Sequence, residues 1–391
     1  MSKIIHLPVS KSLYIRYLIY TYATRGIILP AMVRDGEDVH TVVAGLSRIQ
    51  EGILVADGQV TVIHVGDCGA AFRFLLPLLA TTPGKWLLTG SNRLLQRPHH
   101  PLLAALREAG ADISEQNHEL MITGKTLHAT TLNICCEKSS QYASALLLSR
   151  NRLGFTKIKI TPPPEQMPSY PYLLMTEKVI EDMNNREVLP CNEDIERDWS
   201  AAAFWYGWTS LSEKESYRLP GLSLQSWQGD AIAARWFNFM GVHTAPAKNG
   251  ISISKDVYFS RQDPLNFNVL HYPDLALVVA CTAVCQKRTL TLHGITCLNL
   301  KESKRLDLLS ENIMPYACTY QHPDKDMVIF VPRKTFPSRH RFYSHNDHRL
   351  AMAFALFSRV SQITIDNLTC TQKSYPEWLT YFIDKPYLSL R

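Results

Sequence analysis

The chain has 391 residues, a length that suits two domains better than one. Hydrophobic residues make up 46% of the chain and charged residues 19%, a globular composition that argues against extended disorder. The net charge of +6 comes from scattered Lys and Arg residues. It does not indicate a nucleic-acid surface, but it is compatible with a small anionic substrate.

The nine cysteines are dispersed without a CxxC pair, which favours reduced thiols in a cytoplasmic protein. The chain begins at Met1 without an apolar secretory segment. No uninterrupted apolar segment approaches the ~20 residues that cross a bilayer, so we expect no membrane contact.

Helical and strand-like patterns alternate along the whole chain. Apolar spacing predicts helices over residues 11–23, 70–80, 99–110, 140–149, 169–183, 199–208, 230–241, 274–284, 302–313 and 347–360. Strands are predicted at Val60–Val65, Trp86–Thr89, Leu120–Thr123, Leu132–Cys135, Lys157–Thr161, Ile251–Ser254, Thr289–Leu292, Met327–Val331 and Ile363–Ile365. The rhythm of a helix and then one or two strands suggests a repeated α/β unit.

Polar residues gather where these helices begin. Examples are Ser10-Lys11-Ser12, Gln228-Gly229-Asp230 and Asn346-Asp347-His348-Arg349. Capping explains the Ser, Asp and Asn residues. It does not explain cations at or near helix starts, because the helix dipole disfavours positive charge there. The cations are Lys11, Arg97, Lys301, Arg305 and Arg349. Helix starts that converge would form an anion-binding site.

Eleven segments resemble, in order, motifs of the 5-enolpyruvylshikimate-3-phosphate synthase family. They are LPVSKSLYIR, GDCGAAFRF, LLQRPHHPLLAALREAGADI, SSQYASALLLS, PSYPYLLMT, DWSAAAFW, QGD, YPDLA, LKESKR, SHNDHRLAMAF and CTQKSYPEW. The resemblance spans Pro8 to Trp378. It implies the α/β enolpyruvyl transferase fold, with two globular domains of the inside-out α/β prism type and three βαβαββ-like repeats in each.

The resemblance also implies a domain organisation and an activity. Residues 11–227 would form a domain that binds mainly shikimate 3-phosphate, and residues 1–10 plus 228–391 would form the second. The active site would lie in the interdomain cleft, with two hinge crossings. The family transfers the enolpyruvyl group of phosphoenolpyruvate to the 5-hydroxyl of shikimate 3-phosphate, in the pathway to chorismate and aromatic amino acids. It uses no cofactor or metal and is the target of glyphosate. A monomer is expected.

Matching motifs assign candidate residues to each substrate. For phosphoenolpyruvate they are Lys11, Gly69, Arg97, Gln141, Arg305, His348, Arg349 and Lys373. For shikimate 3-phosphate they are Ser12, Arg16, Ser139, Ser140, Gln141, Ser169, Tyr172, Asp274 and Lys301. Lys11, Asp274 and Glu302 match the family's proton carriers, and the sequence leaves open how they divide the proton transfers.

Two alternatives remain open at this point. One is the sister enzyme that uses a UDP-amino sugar, UDP-N-acetylglucosamine, as acceptor. It normally carries a Cys near the Arg-Pro segment, whereas no Cys lies between Arg73 and Cys135. The other is a catalytically weakened ligand-binding relative. It is suggested by Ala70, Cys297 and Lys304, which stand where the family usually has Thr, Asn and Asp.

Overall fold

The computed structural model describes residues 2–32, 35–54, 58–128, 130–382 and 388–390. The helices are α1 Lys11–Arg25, α2 Glu37–Ile53, α3 Gly69–Thr81, α4 Asn92–Leu95, α5 His100–Glu108, α6 Gln141–Leu148, α7 Arg150–Leu153, α8 Tyr170–Asn185, α9 Trp199–Ser210, α10 Ala233–Asn238, α11 Ala276–Cys285, α12 Arg305–Asn312 and α13 His348–Ala355. The strands are β1 Lys3–Ile4, β2 Val60–His64, β3 Gly84–Thr89, β4 Asp112–Gln116, β5 Glu119–Gly124, β6 Thr131–Cys135, β7 Lys157–Thr161, β8 Ser216–Pro220, β9 Val242–Ala247, β10 Gly250–Lys255, β11 Leu265–Asn268, β12 Leu290–His293, β13 Ala317–His322, β14 Met327–Pro332, β15 Arg339–Phe342, β16 Gln362–Ile365 and β17 Leu388–Leu390.

The chain divides into two units. We call Lys11–Ile195 the contiguous unit, and Met1–Ser10 together with Glu196–Arg391 the composite unit. The predicted boundary after residue 227 therefore differs from the observed one, because residues 196–227 belong to the composite unit. Met1, residues 383–387 and Arg391, which fall in the predicted second domain, lie outside the described residues.

Packing explains why the chain passes from the contiguous unit to the composite unit just before α9. Every residue of α9 is buried, and its aromatic side chains join the same core as Tyr217 and Leu219 of β8 and as α11 and α13. Strand β8 also pairs with β1 and β10 in one sheet. A boundary after residue 227 would cut both the sheet and this core, so the contacts place it before α9.

Each unit places helices inside and sheets outside. The composite unit has sheets in the order β1-β8-β10-β9, β11-β12-β14-β13 and β15-β16-β17. The contiguous unit has β2-β3-β5-β4 and the parallel pair β6-β7. Strand β2 alternates exposed and buried residues, whereas α11 is buried on all sides. A helix that is apolar all round must be enclosed, which gives the predicted inside-out arrangement.

The predicted elements are confirmed, with additions. Each predicted helix and strand has a counterpart, although the helix predicted over 230–241 begins as a 3₁₀ turn at Gly229–Ile232 before α10. Helix α2 was missed despite buried apolar residues at helical spacing, among them Val39, Val42 and Leu46. In the described ranges, every helix is too short or too polar to cross a bilayer.

Two tyrosines near the C-terminal end fasten the N-terminal segment. Tyr375 Oη donates to the carbonyl oxygen of His6 at 2.8 Å, and the backbone N–H of His6 donates to Tyr381 Oη at 3.0 Å. Tyr375 is buried, and its hydroxyl also accepts from Trp205 Nε1 at 3.3 Å. These bonds, with the β1–β8 pairing, hold residues 2–10 in the composite unit.

Replacing Tyr375 with Phe should lower the free energy of unfolding of the composite unit by about 1–2 kcal/mol, because the buried N–H of Trp205 loses its acceptor and the His6 carbonyl loses one of its two tyrosine donors. Urea unfolding followed by tryptophan fluorescence would measure it, since every Trp except Trp86 lies in this unit. The exposed Tyr343→Phe is the matched control and should be neutral. Equal stability of both variants would contradict the role given to Tyr375.

Candidate active site

Arg305, the first residue of α12, is the centre of a charged cluster in the composite unit. Its side chain is buried, and Nε and Nη2 donate to the two oxygens of Asp347 at 2.9 and 3.3 Å. Nη1 donates to Asp274 Oδ1 at 2.9 Å, and Nη2 lies 2.7 Å from Glu302 Oε2. One guanidinium thus holds three carboxylates, two of which are the predicted proton carriers.

Helix starts converge in this unit, which is the condition under which the sequence predicts an anion-binding site. Asp347 caps α13 by accepting from the backbone N–H of Arg349 at 2.9 Å, and it also accepts from Ser303 Oγ at 2.9 Å. Arg349 Nη2 lies 3.1 Å from Asp274 Oδ2 in the turn that precedes α11. The beginnings of α11, α12 and α13 therefore meet at one set of ion pairs.

The cluster keeps the Asp274 carboxylate ionised. Burial alone would raise its pKa, but Arg349, Lys301 and Arg305 outweigh burial, and the pKa falls below its usual range. Burial and the neighbouring Arg305 act together on Lys301 and lower its pKa, although Asp274 and Glu302 oppose them. Asp274 is therefore an ionised carboxylate that can accept hydrogen bonds.

Asp230 is a member of this region to which the sequence assigned no role. It lies in the QGD motif, is buried, and accepts a hydrogen bond from Ser200 Oγ. Burial and the charge of Asp274 raise its pKa to about 7, although Arg349 opposes them. Two buried carboxylates of this unit thus have pKa values shifted in opposite directions.

The remaining candidates of the composite unit lie at two places. His348 is the first residue of α13 and is buried. Lys373 ends the 3₁₀ turn Thr369–Lys373, which packs against α13. Asn299 caps α12, because its Oδ1 accepts from Leu306 N at 2.9 Å, so it does not replace the Asn missing at Cys297. Among the described residues, no group of His, Cys, Asp or Glu is arranged to hold a metal ion.

In the contiguous unit, Gly69 lies against two guanidinium groups. A Cβ built on Gly69 would lie 2.7 Å from Arg97 Nη1 and 3.4 Å from Arg73 Nη1, so a side chain there would displace Arg97. Arg97 Nε is buried and has no hydrogen-bond partner among the described residues. Gly69 therefore leaves room for a guanidinium whose bonding groups are not all used by the protein.

His99 lies beside these cations and stays neutral. Its ring packs 4.2 Å from the ring of Phe72, and Nε2 lies 2.9 Å from the carbonyl oxygen of Leu94, to which it donates. Burial and then Arg73 and Arg97 lower its pKa to about 3, although the Leu94 bond opposes them. The positive charge here is therefore carried by the guanidinium groups alone.

Lys11 and Arg16, both on α1, have different surroundings. Lys11 Nζ pairs with the buried Asp38 of α2 at 2.8 Å, which offsets a cation at a helix start. Arg16 is buried and donates to Thr176 Oγ1 at 2.8 Å and to the carbonyl oxygens of Ser12 and Tyr172 at 2.7 and 3.0 Å. Within the described ranges no carboxylate pairs with Arg16. Its guanidinium therefore ties α1 to α8 with its charge uncompensated.

Five of the residues predicted to bind shikimate 3-phosphate lie at two helix starts of the same unit: Ser139, Ser140, Gln141, Ser169 and Tyr172. Ser139 Oγ accepts from the backbone N–H of Gln141 at 3.3 Å, and Ser140 is buried at the start of α6. Ser169 precedes α8 with φ of 57°, a left-handed conformation that is costly for a residue with a side chain. Tyr172 follows in the first turn of α8, with its ring 5.8 Å from the Arg16 guanidinium.

Comparison with known proteins identifies the family. Residues 35–382 match the family described as EPSP synthase (3-phosphoshikimate 1-carboxyvinyltransferase). This chain belongs to the EPSP synthase family. Among its relatives, the 3-phosphoshikimate 1-carboxyvinyltransferase of Bacteroides fragilis is 30% identical over 95% of this chain and 92% of the relative. That of Vibrio cholerae is 27% identical over 97% and 95%.

Solved structures confirm the EPSP synthase fold. The EPSP synthase of Acinetobacter baumannii matches with a TM-score of 0.66 at 16% identity, covering 98% of this chain and 96% of that one. The enolpyruvyl transferase NikO of Streptomyces tendae matches with a TM-score of 0.65 at 12% identity, covering 98% and 94%. Sequences this different share the fold because its buried helices and outer sheets tolerate many substitutions.

The pH dependence of stability should reveal the lowered pKa of His99. The imidazole of an unfolded chain takes up a proton near pH 6.5 and the folded one only near pH 3, so protonation favours unfolding as the pH falls. Between pH 6.5 and 5 the contiguous unit should lose about 1.6 kcal/mol through this group. Hydrogen exchange of residues 11–195, corrected for intrinsic rates, would measure the loss. His99→Gln should remove it and the exposed His40→Gln should not; equal pH slopes in all three proteins would refute this role.

Replacing Asp347 with Asn should destabilise the composite unit by about 3–5 kcal/mol, because the buried Arg305 loses the carboxylate that binds two of its nitrogens. Urea unfolding followed by tryptophan fluorescence would measure the change. The exposed Asp324→Asn makes the same chemical change without a buried partner and should be neutral. A loss no larger than that of the control would show that Asp347 does not hold Arg305.

Proposed function

We propose that this chain transfers the enolpyruvyl group of phosphoenolpyruvate to the 5-hydroxyl of shikimate 3-phosphate, releasing phosphate. The hydroxyl oxygen bonds to C2 of the donor while its methylene carbon gains a proton, giving a tetrahedral ketal phosphate. The C2–phosphate bond then breaks as the new methyl group loses a proton, and 5-enolpyruvylshikimate 3-phosphate results. Membership of the EPSP synthase family supports this reaction.

The observation that carries the proposal is the placement of two carboxylates on one guanidinium. Asp274 and Glu302 lie 2.9 and 2.7 Å from different nitrogens of Arg305. The reaction needs a group that binds and deprotonates a hydroxyl and another that exchanges a proton with carbon. We assign the first role to Asp274, held ionised by its cations, and the second to Glu302. Lys11 is the third proton carrier.

The substrates' negative charges match the cations of both units. Arg16 and Arg97 have no carboxylate partner in the described part of the contiguous unit, so anionic ligands would supply the missing charge. We assign the 3-phosphate to Ser139, Ser140 and Ser169. The donor goes to the Gly69–Arg97 region and to Arg305, Arg349 and Lys373. We also propose that the enzyme is cytoplasmic and monomeric.

The surroundings of Lys304 and Cys297 weaken the argument that these substitutions abolish catalysis. Lys304 is exposed, so water screens its charge from the buried Arg305. Cys297 is buried beside the loop of Lys301, where it removes one polar contact to the acceptor. We therefore expect altered acceptor affinity with the reaction retained, rather than a protein that only binds ligands.

Phosphate release from phosphoenolpyruvate separates the candidate functions. With shikimate 3-phosphate as acceptor, the purified protein should release phosphate and form the enolpyruvyl ether, identified by mass spectrometry. With UDP-N-acetylglucosamine it should release none. Turnover with the UDP-sugar alone would establish the sister activity. Binding of shikimate 3-phosphate in calorimetry with no turnover would establish the ligand-binding relative.

Replacing Glu302 with Gln should keep substrate binding and slow turnover by ~2–4 orders of magnitude, the usual loss when a general acid–base group is removed. Steady-state kinetics and calorimetric binding of shikimate 3-phosphate would measure both. Glu311→Gln, at an exposed position on α12, is the matched control. Turnover of Glu302→Gln within a few fold of that control would remove Glu302 from the chemistry.

A further inference from the structure

Arg73, one helical turn after Gly69 on α3, has partners that the sequence does not reveal. It is buried, and its Nη1 donates to Gln141 Oε1 at 2.6 Å. Its Nη2 donates to the carbonyl oxygen of Pro98 at 3.4 Å. The guanidinium lies 5.4 Å from the ring centre of Tyr142, whose hydroxyl donates to the same carbonyl. Arg73 therefore joins α3, the start of α6 and the Arg97–Pro98 segment.

This bond fixes which way the Gln141 amide faces. A guanidinium has only donors, so the amide oxygen must face Arg73 and the amide nitrogen must face away. That nitrogen donates to no other group in the described ranges, and Gln141 is half-buried. Two N–H groups are therefore directed away from Arg73. Without Arg73 the amide could turn its oxygen outward, which would repel an anion.

The same guanidinium also lies beside Gly69 and Arg97. The position of a Cβ on Gly69 is 3.4 Å from Arg73 Nη1 and 2.7 Å from Arg97 Nη1. The Pro98 carbonyl that Arg73 binds belongs to the residue that follows Arg97. Arg73 thus restrains two groups, the amide of Gln141 and the backbone next to Arg97, from a position beside Gly69.

We propose that Arg73 is a positioning residue of the donor site, which holds the Gln141 amide with its N–H groups toward phosphoenolpyruvate and restrains the Arg97 segment. The proposal rests on the proposed function for the identity of the ligand. Arg73 acts through its neighbours, so its removal should affect the donor more than a loss of stability alone would.

Kinetics of Arg73→Met and Arg73→Lys test this role. Arg73→Met should raise KM for phosphoenolpyruvate at least about tenfold, with a smaller change for the acceptor. Lys can donate to Gln141 or to Pro98 but not to both in this geometry, so Arg73→Lys should fall between wild type and Arg73→Met. Arg152→Met is the matched control, because Arg152 also donates to a carbonyl and a hydroxyl and lies 5.4 Å from a tyrosine ring. It should lower stability and leave KM unchanged.

A double-mutant cycle separates positioning from general damage. If Arg73 acts through Gln141, Arg73→Met should cost several-fold less in kcat/KM when Gln141 is already Ala. Full additivity of the two losses would overturn the proposal, and so would a KM effect of Arg152→Met as large as that of Arg73→Met.

A readout without turnover keeps this test independent of the proposed function. The side-chain amide signals of Gln141 in ¹⁵N NMR should shift when Arg73 becomes Met and should stay unchanged in Arg152→Met. Adding phosphoenolpyruvate should shift them in wild type and much less in Arg73→Met. If wild type catalyses no transfer yet these shifts occur, the proposed reaction fails and the positioning role stands. If wild type is active and the Gln141 signals are the same in wild type and Arg73→Met, the positioning role fails and the proposed reaction stands.

Discussion

Three carboxylates share the buried guanidinium of Arg305, and the rest of the candidate site in the composite unit depends on this arrangement. Removing one carboxylate from a buried cation is costly, because the remaining charges have left water and are no longer matched. Asp347 binds two nitrogens of Arg305 and caps α13 at the same time, so it couples the position of α13 to that of α12. The ionised state of Asp274 follows from the same cations.

The two units handle buried positive charge in opposite ways. In the composite unit Arg305 and Arg349 are both neutralised by aspartate. In the contiguous unit Arg16 donates to a hydroxyl and to carbonyl oxygens, which carry only partial charge. A carbonyl accepts a hydrogen bond from a cation without cancelling its charge. The contiguous unit therefore retains uncompensated positive charge that a phosphate or carboxylate can neutralise. Because His99 is neutral, it adds no further positive charge to this unit.

Much of this structure could be predicted from local patterns. The buried helices and the alternating strands were predictable because burial on one face or on all faces leaves a period in the sequence. Cations at helix starts break a local preference and indicated an anion-binding site if those helix starts met, but the sequence could not show that α12 and α13 meet. The division at residue 196 could not be predicted, because it depends on α9 packing with β8 and α11. Nor could the contact between Arg73 and Gln141, which are 68 residues apart, since no periodicity records a tertiary hydrogen bond.

The fastening of residues 2–10 into the composite unit imposes an order on biosynthesis. These residues are synthesised before their partners, because β1 pairs with β8, and His6 is bound by Tyr375 and Tyr381, which lie much later in the chain. The contiguous unit needs nothing beyond Ile195 for its own sheets and can complete them while translation continues. The N-terminal strand β1 therefore cannot pair until β8 has been synthesised. Ser2 and Lys3 are polar and exposed, which suits a strand that must stay soluble until its neighbours exist.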